Sequence, residues 1–237
     1  MNIALIDERV SEKIEESLLA KGFLPIRAPK SERLAPDVAS HPDILLFKDG
    51  NTVISSRHYR DEAPQLFESI GMHNRDIKFR FTDDLQGAQY PADCIYNALI
   101  AGKRIFCKTD SISGEVLSYA REKKYDIIPV RQGYPACTVL MLGEEYALTS
   151  DDGMASILQS NGVEVFKIRN GHISLPSREY GFIGGACGAF GDTLYFLGSI
   201  ELHPDFDIIK TAMDASGMKY ISLSDEKLFD GGRIIFI

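Results

Sequence analysis

The feature of this sequence that most restricts its fold is a unit that repeats along the whole chain. Four stretches each consist of two short apolar runs joined by a tight turn that contains glycine, a pattern typical of a β-hairpin. These stretches are residues 41–56, 90–108, 134–149 and 181–200. Their predicted turns are Asp49-Gly50, Gly102-Lys103, Gly143-Glu144 and Gly191-Asp192.

Each predicted hairpin is followed by a helix and then by one more strand. Apolar residues recur with helical spacing in residues 61–72, 110–124, 151–162 and 203–217. Short runs rich in β-branched and aromatic residues follow at 76–81, 125–130, 163–168 and 219–224. The repeated unit is therefore two strands, a helix and a third strand, which is a ββαβ arrangement.

The two ends of the chain supply a fifth unit in two pieces. Residues 11–22 have helical spacing, and residues 23–27 form a short apolar strand. We expect residues 229–237 to pair with residues 2–6, because both runs are apolar and their pairing removes an exposed sheet edge. The predicted fold is of the α/β class, with five small mixed sheets around an axis in a single domain that spans residues 1–237. A doubly wound parallel sheet is excluded, because it has one helix per strand.

Composition limits the function classes open to such a fold. The net charge of −8 argues against a nucleic-acid partner, because phosphate binding depends on clustered lysine and arginine. No apolar run approaches the roughly 20 residues of a membrane span, and the N-terminus lacks the pattern of a signal peptide, so we expect a cytoplasmic protein. The four cysteines have no metal-binding spacing, and the sequence indicates neither a metal nor another cofactor. It leaves the oligomeric state open.

The glycine-rich stretch GFIGGACGAFGDTLYFLGSI, residues 181–200, does not have the pattern of a phosphate-binding loop. Such a loop leads from a strand through glycines into a helix that begins at Lys-Ser or Lys-Thr, whereas these glycines lead into another strand. We interpret Gly184 and Gly185 as the entrance to the fourth hairpin, where a ligand can approach the backbone closely.

Five ββαβ-type units closed by the chain termini resemble the pentein fold, the β/α propeller of guanidino-group-modifying enzymes such as arginine deiminases and amidinotransferases. Residues 171–188 and 192–205 also resemble an uncharacterised bacterial family assigned to that fold. The resemblance implies a site where the hairpin entrances meet at the axis. It further implies a cysteine thiolate that attacks the guanidinium carbon, a histidine that moves protons, and carboxylates that hold the cation.

The site residues of those enzymes carry over only in part. Asp93 falls where the resemblance implies an aspartate that grips the guanidinium group. Phe182 and Ile235 fall where the histidine and the cysteine are found in the enzymes, and the third hairpin offers no glutamate. The chain thus resembles the family in architecture and lacks its usual cysteine, histidine and glutamate.

Other residues are candidates for a non-standard site at the predicted axis. Cys137 at the third hairpin entrance, His172 in the loop before the fourth hairpin, and Asp93 form the candidate catalytic set. The candidate ligand-binding residues are His41, Asp43, Asn97, Arg131, Gly184, Gly185 and Asp230. Structural alternatives exist for all of these types, because aspartates close turns, a buried cysteine is often inert, and a loop histidine is often simply polar.

The function predicted from these residues is a small-molecule site at the propeller axis. The candidate activity is that of a hydrolase or an amidinotransferase-like enzyme, acting on C–N bonds of a guanidino, amidino or amino-acid-like substrate. The alternative is a non-catalytic member of the fold that binds a small molecule or a macromolecular partner, because fold alone does not determine function.

Overall fold

The computed structural model describes all residues from Met1 to Ile237, and its fifteen strands form five three-stranded sheets. Sheet 1 contains β1 (Asn2–Asp7), β2 (Phe23–Ala28) and β15 (Ile235–Phe236), and sheet 2 contains β3 (Leu46–Asp49), β4 (Thr52–Ser56) and β5 (Lys78–Thr82). Sheet 3 contains β6 (Leu99–Ala101), β7 (Arg104–Cys107) and β8 (Asp126–Pro129). Sheet 4 contains β9 (Val139–Leu142), β10 (Tyr146–Thr149) and β11 (Glu164–Lys167), and sheet 5 contains β12 (Cys187–Phe190), β13 (Thr193–Phe196) and β14 (Lys219–Ser222).

The helices occupy the positions between the second and third strands of the units, with two short additions. They are α1 (Glu12–Ala20), α2 (Pro42–Leu45), α3 (Arg57–Glu62), α4 (Pro64–His73), α5 (Gly114–Glu122), α6 (Pro135–Thr138), α7 (Asp152–Ser160) and α8 (Phe206–Ser216). No helix has the length and the run of apolar residues that crossing a membrane requires.

The predicted ββαβ unit is confirmed in all five sheets. The middle strand of each sheet pairs antiparallel with one neighbour and parallel with the other. The first hairpin turn lies one residue later than predicted, at Gly50-Asn51, because Asp49 still pairs with Thr52 in the ladder. The helix predicted over 61–72 is divided into α3 and α4 at Pro64, which cannot donate a backbone hydrogen bond within a continuous helix.

Helices α2 and α6 are one-turn helices that the periodicity does not predict. Each begins at a proline, Pro42 and Pro135, whose fixed φ suits the first helical position. Each lies directly before the first strand of a hairpin. These turns, rather than the strands, carry Asp43 and Cys137.

Five apolar clusters lie between successive sheets and close them into a ring. Successive residues of a strand point to opposite faces, so Ile3 and Leu5 of β1 join one cluster while Ala4 and Ile6 join another. Each cluster contains residues of two successive sheets. The five clusters include Leu5 and Val53 of sheets 1 and 2, Ile54 and Ile105 of sheets 2 and 3, Phe106 and Ala147 of sheets 3 and 4, Leu148 and Leu194 of sheets 4 and 5, and Tyr195 and Phe236 of sheets 5 and 1. Each sheet is therefore buried on both faces.

The ring closes through the chain ends, as the sequence predicts. Strand β15 pairs antiparallel with β1, with Ala4 opposite Phe236 and Leu5 opposite Ile235. The backbone N–H of Ile3 donates to the carbonyl of Ile237 at 2.8 Å, and the N–H of Ile237 donates back at 2.9 Å. The last residues of the chain thus complete sheet 1.

Candidate functional site

A cavity of about 630 Å³ lies where the hairpin entrances converge, and we call it the axial cavity. Its polar and charged wall consists of His41, Gln89, Tyr90, Asp93, Gln132, Tyr134, Cys137, Arg178, Glu179, Tyr180 and Asp230. Its apolar wall consists of Val38, Ile44, Ala88, Leu175 and Phe182. A cavity of this size with a few converging polar groups is typical of a small-molecule site.

His41 lies between two carboxylates, at the residue before α2. Its Nδ1 is 2.8 Å from Oδ2 of Asp7, and its Nε2 is 3.5 Å from Oδ1 of Asp230. Arg9 donates two hydrogen bonds to the same Asp7, from Nε to Oδ1 at 2.8 Å and from Nη2 to Oδ2 at 2.7 Å. Burial alone would lower the pKa of His41, but the hydrogen bond to Asp7 and the charges of Asp230, Asp43 and Asp7 raise it above its ordinary value.

Asp7 is completely buried at the end of β1. Burial acts to raise the pKa of this carboxyl, yet the hydrogen bonds from Arg9 and His41 hold it well below its usual range. Asp7 is therefore a carboxylate that fixes the orientation of the His41 ring.

Asp230 is held by backbone amides in the segment before β15. Phe182 N–H donates to its Oδ2 at 2.8 Å, and Gly232 N–H donates to its Oδ1 at 3.1 Å. Burial raises the pKa of Asp230, although the positive charge of His41 and these amides oppose the rise. Gly185 packs so closely here that an added Cβ would lie 2.0 Å from Asp230 Oδ1.

Cys137 on α6 lies in the wall of the axial cavity with a carboxylate and an amide as partners. Its thiol donates to Oδ2 of Asp43 at 2.8 Å, and Nδ2 of Asn97 donates to its sulfur at 3.3 Å. Burial and the negative charges of Asp43 and Asp230 raise the pKa of this thiol well above its ordinary value. The thiol is therefore protonated at neutral pH, unlike an activated cysteine nucleophile.

Asp93 lies in the irregular segment before β6, with one oxygen bonded and one without a partner. Tyr134 O–H donates to its Oδ2 at 2.5 Å, while Oδ1 is buried without a hydrogen-bond partner. Burial raises the pKa of Asp93, opposed by the hydrogen bond from Tyr134 and the charge of Arg178. Arg178 is itself in an ion pair with Asp37, at the rim of the cavity.

The structure brings most of the candidate site residues together at the axis. His41, Asp93, Cys137 and Asp230 line the axial cavity, while Asp43 and Asn97 lie behind Cys137. Gly184 and Gly185 join α6 to the segment around Asp230, since Gly185 N–H donates to the carbonyl of Cys137 at 3.0 Å.

Two candidates, His172 and Arg131, lie elsewhere. His172 is exposed and lines a second cavity together with His203, whose ring centroid lies 5.5 Å from its own. Arg131 lines a third cavity, together with Asp151. His172 is thus not gathered with Cys137 and Asp93. Two residues after it, Ser174 pairs with Phe229. No three of the His, Cys, Asp and Glu side chains are arranged to hold a metal ion.

Sequence reasoning missed Asp7, Arg9 and Tyr134. Asp7 directly follows the apolar run of residues 3–6, and a lone carboxylate at the end of a buried strand is a signal that could have identified it. Tyr134 could have been identified by its position directly before Pro135, in the same place as His41 before Pro42.

Comparison with solved structures identifies the fold. DDAH from Pseudomonas aeruginosa, complexed with citrulline, matches with a TM-score of 0.57 and 9% sequence identity over 94% of this chain and 91% of that one. The amidinotransferase SxtG from Microseira wollei matches with a TM-score of 0.56 and 13% identity over 93% and 88% of the two chains. Inosamine-phosphate amidinotransferase from Streptomyces griseus matches with a TM-score of 0.52 and 16% identity over 92% and 76%. The architecture is therefore the pentein fold, as the repeat pattern predicts.

Sequence comparison places the chain in a family. Residues 5–235 match the model of the Family of unknown function (DUF6873), so the chain belongs to that family. No curated protein matches the chain in sequence.

Proposed function

We propose that the axial cavity binds a small cationic molecule with a guanidino or amidino group, or an amino-acid-like ligand of the same charge. The observation that carries the proposal is Asp93, a buried carboxylate in the cavity wall whose Oδ1 has no hydrogen-bond partner. A buried carboxylate oxygen without a partner is costly, and a ligand N–H that carries positive charge would remove that cost.

The charge distribution of the cavity wall supports a cation. Asp93, Glu179 and Asp230 line it together with two basic side chains, Arg178, which is paired with Asp37, and His41, which is paired with Asp7. The apolar residues of the wall suit the methylene chain of an alkylguanidine. The pentein fold supports the same ligand class, since solved proteins of this fold include an amidinotransferase and a dimethylarginine dimethylaminohydrolase.

Agmatine is the test ligand, and Asp93→Asn is the decisive variant. We expect the wild-type protein to bind agmatine in isothermal titration calorimetry, and we expect D93N to bind it about 10- to 100-fold more weakly, because a hydrogen bond to a charged group contributes about 1.5–3 kcal/mol. The neutral ureido analogue of agmatine has the same shape without the charge and should bind more weakly than agmatine to the wild-type protein.

Glu179→Gln is the matched control variant, since it removes an exposed carboxylate from the rim of the same cavity. It should change the affinity less than about threefold, because exposed charge pairs contribute little. Equal losses in D93N and E179Q, or equal binding of agmatine and its ureido analogue, would contradict the proposal.

A catalytic role for Cys137 is the second candidate function, and the thiol–carboxylate contact favours it. Asp43 Oδ2 accepts the thiol proton at 2.8 Å, so this carboxylate is placed to take the proton if a bound cation lowers the thiol pKa. Cys137 would then be the nucleophile of a hydrolase or transferase acting on a C–N bond, with Asp93 holding the cation.

Two measurements on Cys137 test this candidate, its rate of alkylation without ligand and its requirement for ammonia release from agmatine. Without ligand, we expect the Cys137 thiol to react with iodoacetamide at pH 7 about tenfold more slowly than the amino acid cysteine in solution. The reason is that burial and the neighbouring carboxylates keep the thiol protonated. Peptide mass spectrometry measures the rate at Cys137, with Cys107, another buried thiol, as the internal reference. Ammonia release from agmatine that is lost in Cys137→Ser would establish the catalytic candidate, and its absence in the wild-type protein would contradict it.

A further inference from the structure

The two nitrogens of His41 lie in different surroundings. Nδ1 is 2.8 Å from Oδ2 of Asp7, and a carboxylate oxygen only accepts, so Nδ1 carries a hydrogen. Arg9 Nη2 is 3.0 Å from the same nitrogen and carries two hydrogens, of which one is directed to Asp7 Oδ2 at 2.7 Å, so Nη2 and Nδ1 both donate to this carboxylate oxygen. Nε2 is buried and has no hydrogen-bond partner. Any proton that His41 gains or loses is therefore gained or lost at Nε2.

The charged groups around His41 come from three segments of the chain. Asp7 and Arg9 lie at the end of β1, Asp43 lies on α2, and Asp230 lies in the segment before β15. Three carboxylates thus face one guanidinium, and a proton on Nε2 offsets part of the remaining negative charge. The nearest carboxylate atom to Nε2 is Asp230 Oδ1, 3.5 Å away, which is too far for a good hydrogen bond.

We propose that the Asp7–His41 pair is the acid–base site of the axial cavity, where a proton on His41 Nε2 and the bound cation exclude one another. This inference rests on the proposed function, because it assumes that the ligand is a cation. Asp230 lines the cavity beside His41, so a ligand that donates an N–H to Asp230 brings a second positive charge next to Nε2.

The exchange balances in charge and in protons. When the cation binds, Nε2 releases its proton to the solvent, and the electron pair that held it stays on Nε2. Nδ1 keeps its hydrogen and continues to donate it to Asp7, so the orientation of the ring does not change. The neutral imidazole can then accept a hydrogen bond from a ligand N–H at Nε2. When the ligand leaves, Nε2 takes a proton back from the solvent.

Calorimetry of agmatine binding in phosphate and in Tris tests the exchange, because these buffers differ in ionisation enthalpy. We expect close to one proton to be released per agmatine bound at a pH below the His41 pKa. The affinity should rise about tenfold per pH unit up to that pKa and be flat above it. In His41→Gln, which keeps a polar side chain that does not titrate in this range, the proton release and the pH slope should both disappear. Binding without proton release, or equal release in H41Q, would overturn the inference and leave the proposed function standing.

A nitrogen NMR titration of the ligand-free protein makes the test independent of agmatine. With histidine labelled at both ring nitrogens and H41Q identifying the signals, Nδ1 of His41 should stay protonated while Nε2 titrates. Asp230→Asn should lower the His41 pKa, because it removes a nearby negative charge that raises it. If agmatine fails to bind while these shifts are seen, the proposed function and the exclusion between proton and cation both fail, and only the Asp7–His41 acid–base pair is supported. If Nε2 does not titrate, or Nδ1 loses its hydrogen first, the inference is overturned.

Discussion

Gly184→Ala is expected to destabilise the protein by about 3 kcal/mol or more, because no atom around Gly184 can move aside. An added Cβ would lie 2.4 Å from the carbonyl oxygens of Ala136 and Val139, and 2.7 Å from that of Cys137. These oxygens belong to α6 and the start of β9, so relief of the overlap requires movement of the backbone that carries Cys137. Urea denaturation measures the loss as a lower midpoint with an unchanged slope.

Gly114→Ala is the matched control for this substitution. Gly114 begins α5, its added Cβ would meet no atom within 4 Å, and alanine is the better helix former. G114A should therefore be neutral or slightly stabilising, about 0.5–1 kcal/mol at most. If G184A unfolds at the same urea concentration as the wild-type protein, the backbone around α6 has room for the added Cβ, and the expected overlap with the three carbonyl oxygens is wrong. If G184A folds but agmatine binding is lost, the cavity wall has moved with α6.

The fold could be predicted from the sequence because each part of the repeated unit leaves a local signal. Short apolar runs give the strands, and a glycine with positive φ gives each of the four hairpin turns, at Gly50, Gly102, Gly143 and Gly191. The helices follow from the period of their buried residues. Even the closure of sheet 1 is visible in sequence, because an apolar terminus requires a partner strand.

The residues of the site were predicted better than their contacts. Aspartates and a cysteine at hairpin entrances are visible in the sequence, and the topology brings them to one axis. Whether Cys137 bonds to Asp43 or faces His41 depends on the one-turn helices α2 and α6, whose four residues are too short for a periodic signal. Asp7 and Arg9 escape detection for a related reason, since their role depends on His41, 34 residues beyond Asp7 in the chain.

The candidate catalytic set shows that a sequence does not reveal which histidine lies beside the other site residues in space. His172 was proposed as a partner of Cys137 because a loop histidine can reach over the axis, but the structure places it beside His203 in another cavity. His41, proposed only as a ligand-binding residue, lies instead between two carboxylates. We therefore propose His41, before sheet 2, as the acid–base residue of this cavity, rather than His172 in the loop before the fourth hairpin.

Phe236→Ala is expected to cost about 3–5 kcal/mol, because this side chain joins the last strand of the chain to sheets 1 and 5 at once. Its ring centroid lies 4.7 Å from that of Phe23 on β2 and 5.3 Å from that of Tyr195 on β13. The substitution leaves a cavity in the cluster that closes the ring, and it weakens the docking of β15, which holds only two residues in the sheet. Hydrogen exchange should then show lost protection in β1 and β13 before the other sheets.

Two control variants separate ring closure from the loss of an aromatic ring. Phe236→Leu keeps most of the buried volume and should cost less than about 2 kcal/mol, because a swap that conserves volume is tolerated best. Phe190→Ala removes a ring that packs against Phe236 from a site that is 39% exposed, so it should cost clearly less than F236A. If F236A and F190A have equal effects, or if protection is lost evenly over all five sheets, the C-terminal strand is not the point where the ring opens. If F236A alone weakens the pairing of β15 with β1, we expect Asp230 to become less well ordered and its contact with His41 to weaken. The reason is that the short segment from Asp230 to β15 connects the closure of the ring to the axial cavity.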